Sequence, residues 1–291
     1  SVDPNDTVPH EHRLDLRGYS VFFAWLDHDD SRAINTLDML VEEGGKHFVR
    51  HYLIDFGSIL GSASNRPNSP RSGFEYLFDP KPAAIQFLTL GFYLPAHARA
   101  RYPDIPAVGN FEYELFDPLK WVPEYPNPAF QNRSPEDGFW AAKIVMSFTD
   151  EEIRALVKTG EYSDPAAEQF IAKALSVRRD KIGRAFFSQV LPLDGFAVRG
   201  GRLEFDDLGV KYGFSQPRTY SWNWFRFDNR TREKSTVPGN SPSIPDALSA
   251  VSPDSYALAV LHAGDPQLAV HAYLRRTGDG WQVVGIERTW K

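Results

Sequence analysis

Three oxygen-bearing side chains stand out by type and spacing. Asp30 closes the triplet His28-Asp29-Asp30, Asn35 follows five residues later, and Asp55 opens Asp55-Phe56-Gly57. Carboxylate and amide oxygens suit a hard cation such as magnesium, which takes one or two ligands from protein and the rest from phosphates and water. A carboxylate at the mouth of the same loop can hold or deprotonate an incoming hydroxyl. Together these groups point to phosphoryl transfer, which asks the protein for positioning and charge neutralisation rather than covalent chemistry. Asp30 is therefore the candidate catalytic residue, and Asn35 and Asp55 are the candidate metal ligands. The competing reading is turn geometry alone, since Asp, Asn and Ser gather in loops for conformational reasons.

The order of these residues resembles the catalytic core of the protein-kinase-like superfamily, in its divergent, atypical branches. There a His-Arg-Asp loop carries the base, an Asn follows five positions later, a short hairpin intervenes, and Asp-Phe-Gly supplies the main magnesium ligand. Asp29 stands where Arg is usual, and the stretch from Asn35 to Asp55 is longer than the kinase spacing. The resemblance covers about forty residues. It implies a kinase C-lobe-like helical domain, Mg2+ and ATP as cofactors, and an acceptor substrate that the residues do not identify. Kinases place a Gly-rich loop and a phosphate-pairing Lys upstream of this loop. Neither precedes His28, and the first lysine is Lys46. ATP would therefore need an upstream lobe, and without one the chain would be a pseudoenzyme.

A hairpin is the element that would position these groups. Residues 37–42 and 47–54 read as two strands around Gly44-Gly45, so the start of the first lies beside the end of the second, bringing Asn35 near Asp55. The near-continuous apolar run of the second strand reads as buried on both faces. His47 and His51 share a face of it and are read as polar-face residues. Ahead of the loop, residues 11–25 suit a helix with Leu14, Leu16, Val21, Phe22 and Trp25 buried, although Gly18 weakens it. Residues 1–12 read as a polar arm, with His10 and His12 solvated. After Gly57 a Ser-, Pro- and Asn-rich loop occupies the place of an activation segment; Arg66 and Arg71 could contact phosphate or an acidic partner, but read first as residues of a solvated loop. No Ala-Pro-Glu-like terminator ends it.

The remaining chain gives an α+β reading with two domains. Residues 82–94 suit a buried helix, and 103–138, dense in Pro and aromatics, a wrapping segment. Ser134, Thr149 and Asp164 start three helices with good capping chemistry. A turn-rich boundary near 190–200 separates residues 1–195, with the hairpin at 37–54, from 196–291. The second part reads as short strands, among them a hairpin turning at Gly278-Asp279-Gly280, and suggests an immunoglobulin- or fibronectin-like β-sandwich. Trp222, Trp224 and Phe225 could form a sugar-stacking platform, but aromatics at strand spacing read first as core packing or domain docking.

Composition narrows the classes. The 291 residues carry a net charge of −6 without a basic stripe, which argues against nucleic acid. No cysteine is present, which excludes disulfides and thiolate chemistry. No stretch approaches the roughly 18 consecutive apolar residues of a membrane-spanning helix. The chain opens on Ser1 without a Met and is read as a processed or trimmed product, which leaves the compartment open and export one option. The second functional class is then an exported binding or scaffolding protein, whose β domain meets a protein or glycan and whose Asp-rich loop is structural. A glycosidase would need a carboxylate pair, and no spacing selects one.

Overall fold

The computed structural model describes residues 9–249 and 252–291; the arm at 1–8 lies outside them. The chain is α+β and divides into two compact units, residues 1–185 and 186–291. The division falls ten residues before the expected boundary. Its cause is apolar: Phe187 packs on Tyr212 and Phe214, and Leu191 enters the core of the second unit.

The first unit begins with α1 (Leu14–Leu26), followed by the hairpin β1 (Thr36–Glu43) and β2 (Lys46–Leu53). The hairpin register pairs Thr36 with Leu53 and Glu43 with Lys46, close to the expected bounds. Then come α2 (Pro80–Leu88), α3 (Pro128–Gln131), α4 (Pro135–Ser147), α5 (Asp150–Lys158) and α6 (Pro165–Phe187). The last three start where the sequence places them. Ser134 and Thr149 both close capping boxes, with Asp137 and Glu152 returning the bond. Asp137 also receives Arg17 through Nε at 2.7 Å and Nη2 at 2.8 Å, which ties α4 to α1.

Helix α1 corrects the sequence reading in an instructive way. Val21 and Trp25 are buried as expected, but Leu14 is exposed and Gly18 is buried. Glycine is required at 18 because a Cβ there would lie 2.6 Å from Cε3 of Trp140, so the apparent helix weakness is a close approach between α1 and α4. Two larger expectations fail. Strand β2 is not covered: Phe48, Val49 and Tyr52 are all exposed. The stretch 82–94 forms a shorter helix, α2, with no buried residue. In both places apolar sequence signals burial, and nothing within the described residues supplies the cover. His47 sits across from Glu42 at 3.4 Å on the exposed hairpin.

The second unit holds the ribbon β3 (Leu193–Arg199) and β4 (Arg202–Asp207), then α7 (Leu208–Lys211), β5 (Ser221–Phe227), β6 (Lys234–Val237), α8 (Asp246–Ser249), β7 (Tyr256–Ala263), β8 (Asp265–Thr277) and β9 (Gly280–Arg288). Five strands form one antiparallel sheet in the order β6-β5-β7-β8-β9, and β3-β4 pair separately. An immunoglobulin sandwich divides its strands four and three between facing sheets; here they divide five and two. The ribbon contributes Leu193 and Leu203 to the core on one sheet face, beside Trp222, Trp224 and Leu261. Phe225 points the other way, against Leu258 and Val260. Both tryptophans are buried and stacked, with centroids 6.3 Å apart. They form core, the reading favoured for aromatics at strand spacing, and not a sugar platform.

Candidate functional site

The site grows from the end of α1. Asp27 takes the left-handed conformation there (φ 56°), and the N–H groups of Asp27 and His28 return to the carbonyls of Ala24 and Phe23. Its buried carboxylate accepts from Trp121 Nε1 at 2.8 Å and faces Arg178 Nη2 at 3.4 Å. Gly73 (φ +77°) makes room, since a Cβ there would lie 2.7 Å from both the Asp27 oxygen and Trp121 Nε1. Arg178 is fully buried on α6. It donates to the carbonyls of Ala24, Trp25 and Glu112. Burial lowers its pKa, partly offset by Asp27 and Glu112, while burial raises that of Glu112. These residues fix the root of the loop.

The loop itself is bound on three sides. His28 donates from Nδ1 to the Ser58 carbonyl at 3.2 Å, a tautomer set by the carbonyl, which only accepts. Its ring meets Phe23 at 4.7 Å and Phe56 at 5.5 Å, so the Asp-Phe-Gly segment packs directly on the loop. Asp29 is buried, accepts from Ser72 Oγ, and offers its carbonyl to Glu124 N–H. Burial raises its pKa against the Ser72 bond. Asp29 is thus a buried acid that holds the 68–72 segment. Asp30 is half-buried and paired with Arg32, whose guanidinium also stacks on Tyr125 at 4.9 Å. Burial would raise the Asp30 pKa, but the Arg32 bond and charge, with Asn35 and His28, outweigh it and leave it below the usual carboxylate range. Asp30 is therefore ionised at neutral pH.

The hairpin does what its geometry requires. Asn35 donates from Nδ2 to the Asp30 carbonyl at 2.7 Å, and its own carbonyl accepts from Ile54 N–H at 3.0 Å. This places Asn35 between Asp30 and the residue preceding Asp55. Asp55 is exposed, left-handed (φ 61°), and close enough for its charge to act on His28. The three sequence-derived residues are thus gathered at one end of the hairpin. Among the described residues no cluster of three or more His, Cys, Asp or Glu side chains converges as a metal site. Arg66 and Arg71 border a polar cleft with Asp29, Asp30 and Glu124; Arg71 bonds Glu75 at 3.0 Å.

Sequence reasoning missed Asp27, Ser72, Trp121 and Arg178. None lies in a local pattern that marks it, and Arg178 sits in SVRRD, which reads as a solvated helix face. Only tertiary packing brings them to the loop.

Burial makes the loop pH-sensitive. Desolvation lowers the His28 pKa, opposed by the Ser58 bond and by Asp29, Asp30 and Asp55. A folded value below the unfolded one, about 6.5, means the unfolded state binds more protons between the two. The contribution is complete above about 6.5 and is lost as pH falls through the folded value. The urea midpoint is expected to drop between pH 7.5 and pH 5.5, and His28→Gln to flatten the drop. Asp29, with its raised pKa, acts with the opposite sign at lower pH, so the difference between the two proteins is the measurement. Equal slopes would remove His28 from this account.

The class that the fold and site define is an α+β chain with a polar, acid-bearing loop carried on a helix end and a hairpin. Comparison with known proteins returned no matching family model, no matching curated protein and no matching solved structure. No helix among the described residues is long and apolar enough to cross a membrane.

Proposed function

We propose that the first unit is a divergent kinase C-lobe-like domain that positions groups for phosphoryl transfer to a hydroxyl. The observation that carries this reading is the double use of Asn35. Its Nδ2 donates to the Asp30 carbonyl and its backbone carbonyl accepts from Ile54 N–H, so it ties the Asp30 loop to the residue preceding Asp55. An amide oxygen and an exposed carboxylate are hard donors that fit Mg2+, with phosphate and water completing the shell. When bound, the ion gathers phosphate charge. Asp30, held ionised by Arg32, orients the acceptor hydroxyl. His28 and Phe56 keep the two halves of the site in register.

ATP is held by groups outside this chain in the same reading. Exposed apolar side chains on the hairpin, Leu40 and Val49 among them, support a further body that covers β1 and β2 in the active form. The second unit is read as a reduced two-layer β-sandwich for a protein partner; burial of Trp222 and Trp224 counts against a glycan.

The test is a manganese titration followed by EPR. A single bound ion is expected, with affinity reduced by about tenfold or more in Asp55→Asn, as befits loss of a charged ligand. No binding at millimolar metal, or binding indifferent to Asp55, would sink the proposal.

A further inference from the structure

Between Phe78 and Leu94 the first unit carries apolar side chains in full solvent. Phe78, Phe87, Leu88, Leu90, Phe92 and Leu94 are between 66% and 89% exposed. Scattered apolar residues on a surface are ordinary, but a contiguous run of this kind marks a contact site. The segment is ordered. Asp79 caps α2 by accepting from Lys81 N–H. Thr89 Oγ1 donates to the Ile85 carbonyl at 2.7 Å and accepts from Tyr93 N–H at 3.2 Å. Leu90 then turns in the left-handed region (φ 52°), and Phe92 N–H returns to the Thr89 carbonyl. The side chains are thus held outward on a small fixed knob.

Charge decides the occupant. From Phe78 to residue 103 the chain has Lys81, Arg99 and Arg101 against a single acid, Asp79, whose carboxylate caps α2, within a protein of net charge −6. All three cations are exposed. Large apolar side chains accompanied by an excess of exposed cations match the acyl boundary and headgroups of an anionic bilayer. We propose that this knob seats the first unit on an anionic membrane surface, with Phe87, Leu90 and Phe92 entering the acyl boundary and Lys81, Arg99 and Arg101 meeting lipid phosphates. The contact is interfacial, and it does not depend on the phosphotransfer reading.

The test is flotation of the full chain with vesicles of phosphatidylcholine alone or mixed with phosphatidylglycerol. Binding is expected to the mixed vesicles and to weaken as salt is raised. Phe87→Ser with Phe92→Ser is expected to reduce it at least tenfold. Lys81→Glu with Arg99→Glu and Arg101→Glu is expected to reduce it by about a hundredfold. These positions are exposed, so circular dichroism and the urea midpoint serve as fold controls. Absence of flotation with either vesicle, or flotation indifferent to both sets of changes, overturns the proposal. So does a concentration-dependent dimer that Phe92→Ser abolishes, which would assign the knob to a second copy of the chain.

Discussion

Arg178→Met is expected to destabilise the first unit by about 3–5 kcal/mol, the cost of breaking a buried ion pair from one side. The guanidinium donates at 3.0 Å to Trp25, 2.6 Å to Glu112 and 2.5 Å to Ala24, and faces Asp27 at 3.4 Å. Its Cζ lies 3.8 Å from the ring centroid of Phe116 and 4.8 Å from that of Phe111. Methionine keeps much of the volume but leaves three carbonyls short of a donor and a buried carboxylate without its cation. Each lost partner of a buried acceptor costs about 1–3 kcal/mol on its own. Asp27→Asn in the same chain removes the orphaned charge and should recover part of the loss, so the double-mutant cycle is expected to be non-additive. Because Arg178 holds the turn from which His28 to Asp30 depart, manganese affinity should fall with stability in the single variant. A urea midpoint shifted by less than about 1 kcal/mol would mean that the pair is replaceable at no cost, and would refute the role assigned to it.

Trp224→Ala is expected to cost the second unit about 3–5 kcal/mol, the range for truncating a buried large aromatic. The indole is fully buried, stacks on Trp222, and donates from Nε1 to the Ser241 carbonyl at 3.0 Å. It lies in the core shared by the sheet and the β3-β4 ribbon. Alanine removes the ring, leaves a cavity and strands the Ser241 carbonyl. Trp224→Phe should recover the packing but not the hydrogen bond. Limited proteolysis with mass mapping is the measurement, with faster cleavage expected inside residues 186–291. Unchanged cleavage in this region would show that the ring is not a core element.

What residue types and spacing by themselves determined is local. Cap chemistry placed the starts of α4, α5 and α6, because Ser134, Thr149 and Asp164 satisfy N–H groups within three residues of themselves. Two glycines between apolar segments placed the β1-β2 hairpin, and its twofold return brought Asn35 beside the end of β2. The candidate site was legible for that reason: Asp30, Asn35 and Asp55 depend on a loop and a hairpin, both short-range. Tertiary structure decided everything that depends on what covers what. An apolar run carries no mark of whether a neighbour exists, so β2 and α2 read as buried and stand exposed. Gly18 read as a defect because its reason, the ring of Trp140, lies more than a hundred residues away. Arg178 carries no mark in the sequence, because a charged side chain is ordinarily solvated, and only the fold provides three carbonyls, a carboxylate and two aromatic faces to replace water around it. Trp222 and Trp224, read from their strand spacing as core or docking aromatics, take their places in the core. Sequence periodicity gives a side chain its face, and the partner across that face is a property of the assembled chain.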